Sequence, residues 1–264
     1  MHPLFRTVLP VLAACVLAAG PAQAGAAGAT RIGDVTLGVI DLTPQDGDRA
    51  GYTIDSFDGR LIVYTDTRNT GGGFDPTILK PAPFTAGRAL VTHDSAIAEA
   101  ATSGAVGDVS ARASTGTALG VDNMGSAESE QRLWLTLAPH TLLTVAGNVV
   151  TQATRSLGAG EGYRVFSWAS IDITDRDMIT TSYLTRESAL IWGENIGAAS
   201  NSEYFTLAFA NPGAAAMAIS LNFLAYTDVT VAASAVPEPA TYGMLLAGLL
   251  LTGIATRRVR GRAG

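Results

Sequence analysis

Apolar and polar residues alternate in short runs along most of this chain, and Gly, Asn, Asp and Pro break the runs apart. The clearest run holds Ile219, Leu221, Phe223, Ala225, Val229 and Val231 on one parity. Val35, Leu37 and Val39 alternate with Thr36 and Gly38, and Leu143, Val145 and Val149 keep the same period. Leu133, Leu135 and Leu137 share a face opposite Trp134. Val165, Ala169, Ile171 and Ile173 share another, opposite Phe166 and Trp168, while Phe205, Leu207 and Phe209 fall together. Residues 60–65 are rich in β-formers, and Asp46-Gly47-Asp48 and Thr70-Gly71-Gly72-Gly73 supply turns. Successive side chains of a strand point to opposite faces, so alternation of this length predicts strands. No soluble stretch carries a helical period. Several strands with turn punctuation predict an all-β fold, an antiparallel β-sandwich. No fixed-period repeat is present, which argues against a solenoid or propeller.

The segment 84–130 is the least legible, being rich in Ala, Gly, Ser and Thr. Within it Ala105, Gly107, Val109, Ala111 and Ala113 oppose Val106, Asp108, Ser110, Arg112 and Ser114. This pattern predicts one strand with small inward side chains and loops around it. The alternative is a low-complexity linker between two small β-units.

Both ends of the chain are hydrophobic. Arg6, an apolar run over 8–19 interrupted by Pro10, and Ala22-Gln23-Ala24 have the layout of a signal peptide. The expected signal peptidase site is set by Ala22 and Ala24, making residues 1–24 the signal peptide. Leu12-Ala13-Ala14-Cys15 also fits a lipoprotein box. However, the apolar run continues from Val16 to Ala19, where a lipoprotein turns polar. Cleavage after Ala24 removes Cys15, the single cysteine, and leaves a mature chain with no disulfide, thiol nucleophile or thiolate metal site.

At the other end Pro237-Glu238-Pro239 precedes residues 240–256, a run without charge, and Arg257, Arg258, Arg260 and Arg262 follow. As a helix that run would be about 26 Å long, close to the ~30 Å of a bilayer's hydrocarbon core. The arginines would stay cytoplasmic and act as a membrane stop. This order of rigid motif, apolar helix and basic stop resembles the PEP-CTERM tail of Gram-negative surface proteins. In that family an integral-membrane cysteine protease, exosortase, recognises and cuts the tail. An ordinary single-pass anchor behind a proline-stiffened linker is the plainer reading of the same residues.

The resemblance implies a protein with exosortase as partner and Pro237, Glu238 and Pro239 as sorting motif. It would be anchored transiently in the inner membrane through its C-terminal helix. It would then pass to the outer surface or extracellular matrix of a Gram-negative bacterium, in association with exopolysaccharide and biofilm. The expected organisation is a signal peptide (1–24), a β-sandwich ectodomain (25–236) and a sorting tail (237–264).

Charge narrows the partners of the ectodomain. Residues 25–236 hold 22 acidic and 12 basic residues, a net charge near −10, with Lys80 the only lysine. Nucleic acid and anionic lipid both require clustered cations, so neither is expected as a partner.

Candidate chemistry is sparse. His93 and His140 are the histidines left after signal cleavage, and both sit in turn-like contexts. No Gly-x-Ser-x-Gly elbow occurs, and the adjacent letters of His93-Asp94-Ser95 do not make a triad, whose members converge from separate elements. Asp172, Asp175 and Asp177, and Asp46 with Asp48, carry oxygen ligands suited to calcium. Neither spacing is that of an EF-hand, and turn formation explains both. Trp134, Trp168 and Trp192 are candidates for stacking on carbohydrate. The first two lie in alternating strands, where large rings usually fill the core, and Trp192 borders a turn. The expectation is therefore a non-catalytic protein with no metal centre and no cofactor. A carbohydrate- or calcium-binding adhesin module and a secreted hydrolase are the alternatives.

Overall fold

The computed structural model describes residues 25–68, 76–116, 122–156, 162–177, 181–191 and 197–232. The chain divides into two compact units, residues 1–233 and 234–264, and every described residue belongs to the first. That unit is built from β1 (Gly25–Asp41), β2 (Tyr52–Arg68), β3 (Thr77–Leu79), β4 (Gly87–His93), β5 (Ala96–Thr102) and β6 (Val109–Gly116). The remainder is β7 (Asp122–Leu137), β8 (Thr141–Arg155), β9 (Gly162–Asp175), β10 (Thr181–Leu190), β11 (Ala198–Asn211) and β12 (Met217–Ala232). Two six-stranded antiparallel sheets result, ordered β11-β8-β1-β6-β5-β4 and β10-β9-β12-β7-β2-β3. No described residue is helical. The predicted β-sandwich is the observed architecture of the described residues. The tail helix expected over 240–256 lies outside them.

The core sits between the sheets. Ile219, Leu221, Phe223, Ala225, Val229 and Val231 of β12 are all buried, as the alternation predicts. Ile219, Leu221, Phe223 and Ala225 cluster with Ile32, Leu143, Val145, Val149, Ala98, Ala100, Val109 and Ala111 of the opposite sheet, and Val229 and Val231 form a second cluster with its Ala26, Ala113 and Ala153. The run Val35, Leu37, Val39 continues β1 with its parity reversed. A bulge between Gly33 and Thr36 breaks the register with β8, and Asp34 takes a positive φ of 55° there. Inward residues before the bulge are even-numbered (Ala26, Ile32). After it Val35 and Leu37 pack on the core, and Val39 at the strand's far end is exposed. One inserted residue exchanges the two faces of a strand.

The segment 84–130 departs from its expectation. Two further strands, β4 and β5, form there, and β7 begins at Asp122. Ala89, Ala96, Ala98 and Ala100 point inward and are buried. Ala105 and Gly107 lie in the β5–β6 turn and not in a strand, whereas Val109, Ala111 and Ala113 do alternate inward along β6. Gly107 has φ of 70°, and a Cβ there would come within 2.9 Å of Phe223 and 2.5 Å of Val35. That turn needs glycine for both conformation and space.

The same turn is tied to the opposite sheet by a buried polar group. Gln131 of β7 points inward, where its Nε2 donates to Thr102 Oγ1 (2.7 Å) and to Ala105 O (3.0 Å). Its Oε1 accepts from Gly107 N at 2.7 Å. Ser129 Oγ donates to Ala101 O at 2.9 Å nearby. Polar residues at inward positions of β7 thus satisfy the backbone of the β5–β6 connection, as buried peptide groups require.

β1 begins and β12 ends at one end of the sandwich, where Gly28 lies against Thr227 and Val165. The other end gathers Asp41 and Thr141 of one sheet, and Tyr52, Leu137 and Met217 of the other. Asn211 stitches that end, its Nδ2 donating to Ala138 O and Ala215 O at 2.9 Å each.

Candidate functional site

The outer face of the β2–β7–β12–β9 sheet carries a groove near the Met217 end. Its lining includes Trp134, Arg132, Asp172, Asp175, Thr174 and Ser220, and its volume is about 640 Å³. The strand register creates it. Trp134 pairs with Ser56 on one side and Ser220 on the other, and Ser220 pairs with Thr174. One step along the strands, Asp58, Arg132, Asn222, Asp172 and Tyr183 follow in a row across five strands. Paired residues share a face of the sheet, so two rows of side chains project together.

Trp134 corrects the expectation that it fills the core. Leu133, Leu135 and Leu137 occupy the inward positions at 0% exposure, and the indole stands outside, 39% exposed. Trp168 is likewise on the outer face of β9, half-buried. Alternation separates the two faces of a strand, and here the leucines took the inner one. Trp192 lies outside the described residues.

The groove's charges are held in place. Arg132 Nη2 bonds Glu130 Oε1 at 2.9 Å, and its guanidinium lies 6.0 Å from the Trp134 ring centroid. Asn222 Nδ2 donates to Asp172 Oδ2 at 3.3 Å. Burial pushes the Asp172 carboxyl above its ordinary value, while the Asn222 bond and the charge of Arg132 pull the other way. Thr136 Oγ1 donates to Asp55 Oδ2 at 2.7 Å, orienting the carboxylate at the groove's edge. A depression on the outer face of the other sheet, about 310 Å³, is lined by Ala27, Ala29, Ala113 and Ser114 among others and has no aromatic side chain.

Of the expected aspartate cluster, Asp172 and Asp175 line the groove, and Asp177 lies in the turn after β9. Asp46 closes a turn, its Oδ1 accepting from Asp48 N at 2.9 Å, with Thr43 Oγ1 on its other oxygen. Among the described residues no group of three or more His, Cys, Asp or Glu converges as a metal site would. His93 tops the β4–β5 hairpin at the Gly25 end of its sheet, and His140 joins β7 to β8 at the Asp41 end. The two histidines cannot serve one substrate. Ala22, Ala24, Pro237, Glu238, Pro239, Arg257, Arg258, Arg260 and Arg262 lie outside the described residues.

Towards the Ala232 end of the same outer face, Asp228 is buried. Its Oδ1 accepts from Arg164 Nη2 at 3.2 Å. Burial raises the Asp228 carboxyl above its ordinary value of 3.8, against the pull of Arg164. A carboxyl raised on folding holds its proton more tightly in the folded state. Its contribution to stability is therefore full below about pH 3.8 and is lost as pH rises through the folded value. Asp228→Asn is expected to gain stability over the wild type as pH is raised from about 4 to 7. Melting curves across that range check the sign.

No curated protein matches the sequence. One solved structure, described as "Structural basis for the promiscuous specificity of the carbohydrate-binding modules from the beta-sandwich super family", aligns over 78% of this chain and 96% of that chain. Its sequence identity is 8% and its TM-score 0.11, a likeness too slight to carry an argument. Residues 235–260 match the PEP-CTERM protein-sorting motif, a span that takes in Pro237-Glu238-Pro239, the apolar run and three of the four arginines. The chain thus carries the PEP-CTERM sorting signal at its C-terminal end, which makes it an exported protein of the exosortase route.

Proposed function

We propose that this is a non-catalytic protein of the cell surface or extracellular matrix. The signal peptide over 1–24 starts its export, and the helix over 240–256 anchors it transiently in the inner membrane. Exosortase then cuts near Pro237-Glu238-Pro239, and the β-sandwich passes to the outer surface or matrix of a Gram-negative bacterium, in association with exopolysaccharide. The observation that carries this reading is the sorting motif over 235–260. An ectodomain of net charge near −10 also suits a protein that stays soluble in a crowded extracellular layer.

Intact-mass measurement of the surface form from a host with the cognate exosortase tests it. The expected chain begins at Gly25 and ends near the motif. A surface form that retains residues 240–264 would show that the tail is an anchor and not a processed signal.

A further inference from the structure

We propose that the groove around Trp134 binds an uncharged polysaccharide chain, with the indole as stacking platform and the flanking rows as hydrogen-bonding partners. The proposal rests on the reading that this protein associates with exopolysaccharide, and it names the site and the ligand class.

Trp134 is not needed by the core, which Leu133, Leu135 and Leu137 already fill from the same strand. A pyranose ring has a face of C–H groups that lies well on an exposed indole. Its rim of hydroxyls needs donors and acceptors in one plane. The groove offers both around the ring: carboxylate acceptors from Asp172, a guanidinium fork from Arg132, and the two-way hydroxyls of Ser220 and Thr174. A mostly apolar platform with a few convergent polar groups is the usual form of a ligand site.

Two observations narrow the ligand further. The lining sets Asp55, Asp172 and Asp175 against Arg132 and Arg176, in a body already near −10. Like-charge repulsion therefore disfavours uronate or sulfated polymers. The second exposed aromatic on this face, Tyr183, is 67% exposed and pairs with Asp172. It stands three strands from Trp134, roughly 15 Å across the sheet. One sugar ring cannot reach both, so the site suits a chain of several units.

Titration of the full-length protein in detergent with a soluble neutral glucan, a galactomannan and a polyuronate tests the proposal, with tryptophan fluorescence and calorimetry as readouts. A neutral polymer is expected to bind, and Trp134→Ala to weaken it at least tenfold with unchanged circular dichroism. Tyr183→Ala is expected to weaken long chains more than short oligomers. No binding to either neutral polymer, preference for the polyuronate, or equal binding by Trp134→Ala overturns the assignment. Release of reducing ends during the titration overturns it too, by making the ligand a substrate. Co-isolation of the surface form with cellular polysaccharide separates the two levels. If wild type and Trp134→Ala both co-isolate, the association stands and the groove assignment fails. If neither does, the association itself fails.

Discussion

Replacing Glu238 by Ala is expected to leave the chain uncut in a host that carries exosortase, so that the uncut precursor accumulates in the membrane fraction. Pro237 and Pro239 hold φ near ~−65° and turn the residues before them away from helix. The motif should therefore run extended at the membrane surface, the form in which proteases take a substrate, with Glu238 as its charged side-chain handle. Glu238→Ala removes the handle and leaves the apolar run over 240–256 and the four arginines intact, so insertion should be unchanged. Intact mass and membrane fractionation separate the two effects. Neutralising Arg257, Arg258, Arg260 and Arg262 together is expected to give the opposite pattern, with retention or orientation weakened while the motif is untouched. Normal cleavage of Glu238→Ala would refute the role given to the carboxylate.

Gln131→Leu is expected to destabilise the sandwich by about 2 kcal/mol, although it puts an apolar residue of similar size into a buried position. The side chain makes three hydrogen bonds, to Thr102, Ala105 and Gly107. Leucine would leave the Gly107 N–H without that partner, whereas the Ala105 carbonyl still accepts from Asp108 N at 3.2 Å. A stranded buried N–H costs about 1–3 kcal/mol, which the gain from apolar burial only partly offsets. For a body of this size the loss corresponds to a melting temperature lower by roughly 4–8 °C. Urea or thermal unfolding measures it, and a variant as stable as the wild type would show that the β5–β6 turn finds its hydrogen bonds elsewhere.

Legibility followed side-chain size. The strands of 143–149, 205–209 and 219–231 could be read because their inward residues are mostly large and apolar and their outward ones mostly are not. β4 and β5 could not, because Ala89, Ala96, Ala98 and Ala100 are too small to stand out from an Ala- and Thr-rich background, yet small residues are what a close approach of two sheets admits. The first half of β7 was hidden for another reason. Its inward Asn123, Ser129 and Gln131 are polar and buried, so hydrophobicity does not alternate where the strand does. In β1 the bulge at Gly33 reverses the parity midway, so the one legible run covers only the half after it.

The all-β class and the sorting signal were determined by the sequence itself. A strand's period and a tail's order of proline motif, apolar run and arginines are local properties, expressed along a few consecutive residues whatever the rest of the chain does. The groove was decided by tertiary structure alone. Trp134, Asp172, Tyr183 and Ser220 sit on four different strands, and only the hydrogen-bonded register of β7, β12, β9 and β10 lays them side by side. The same assembly chose the face that Trp134 occupies. A strand's two sides are equivalent until a second sheet covers one of them, and the leucines had more apolar surface to bury there.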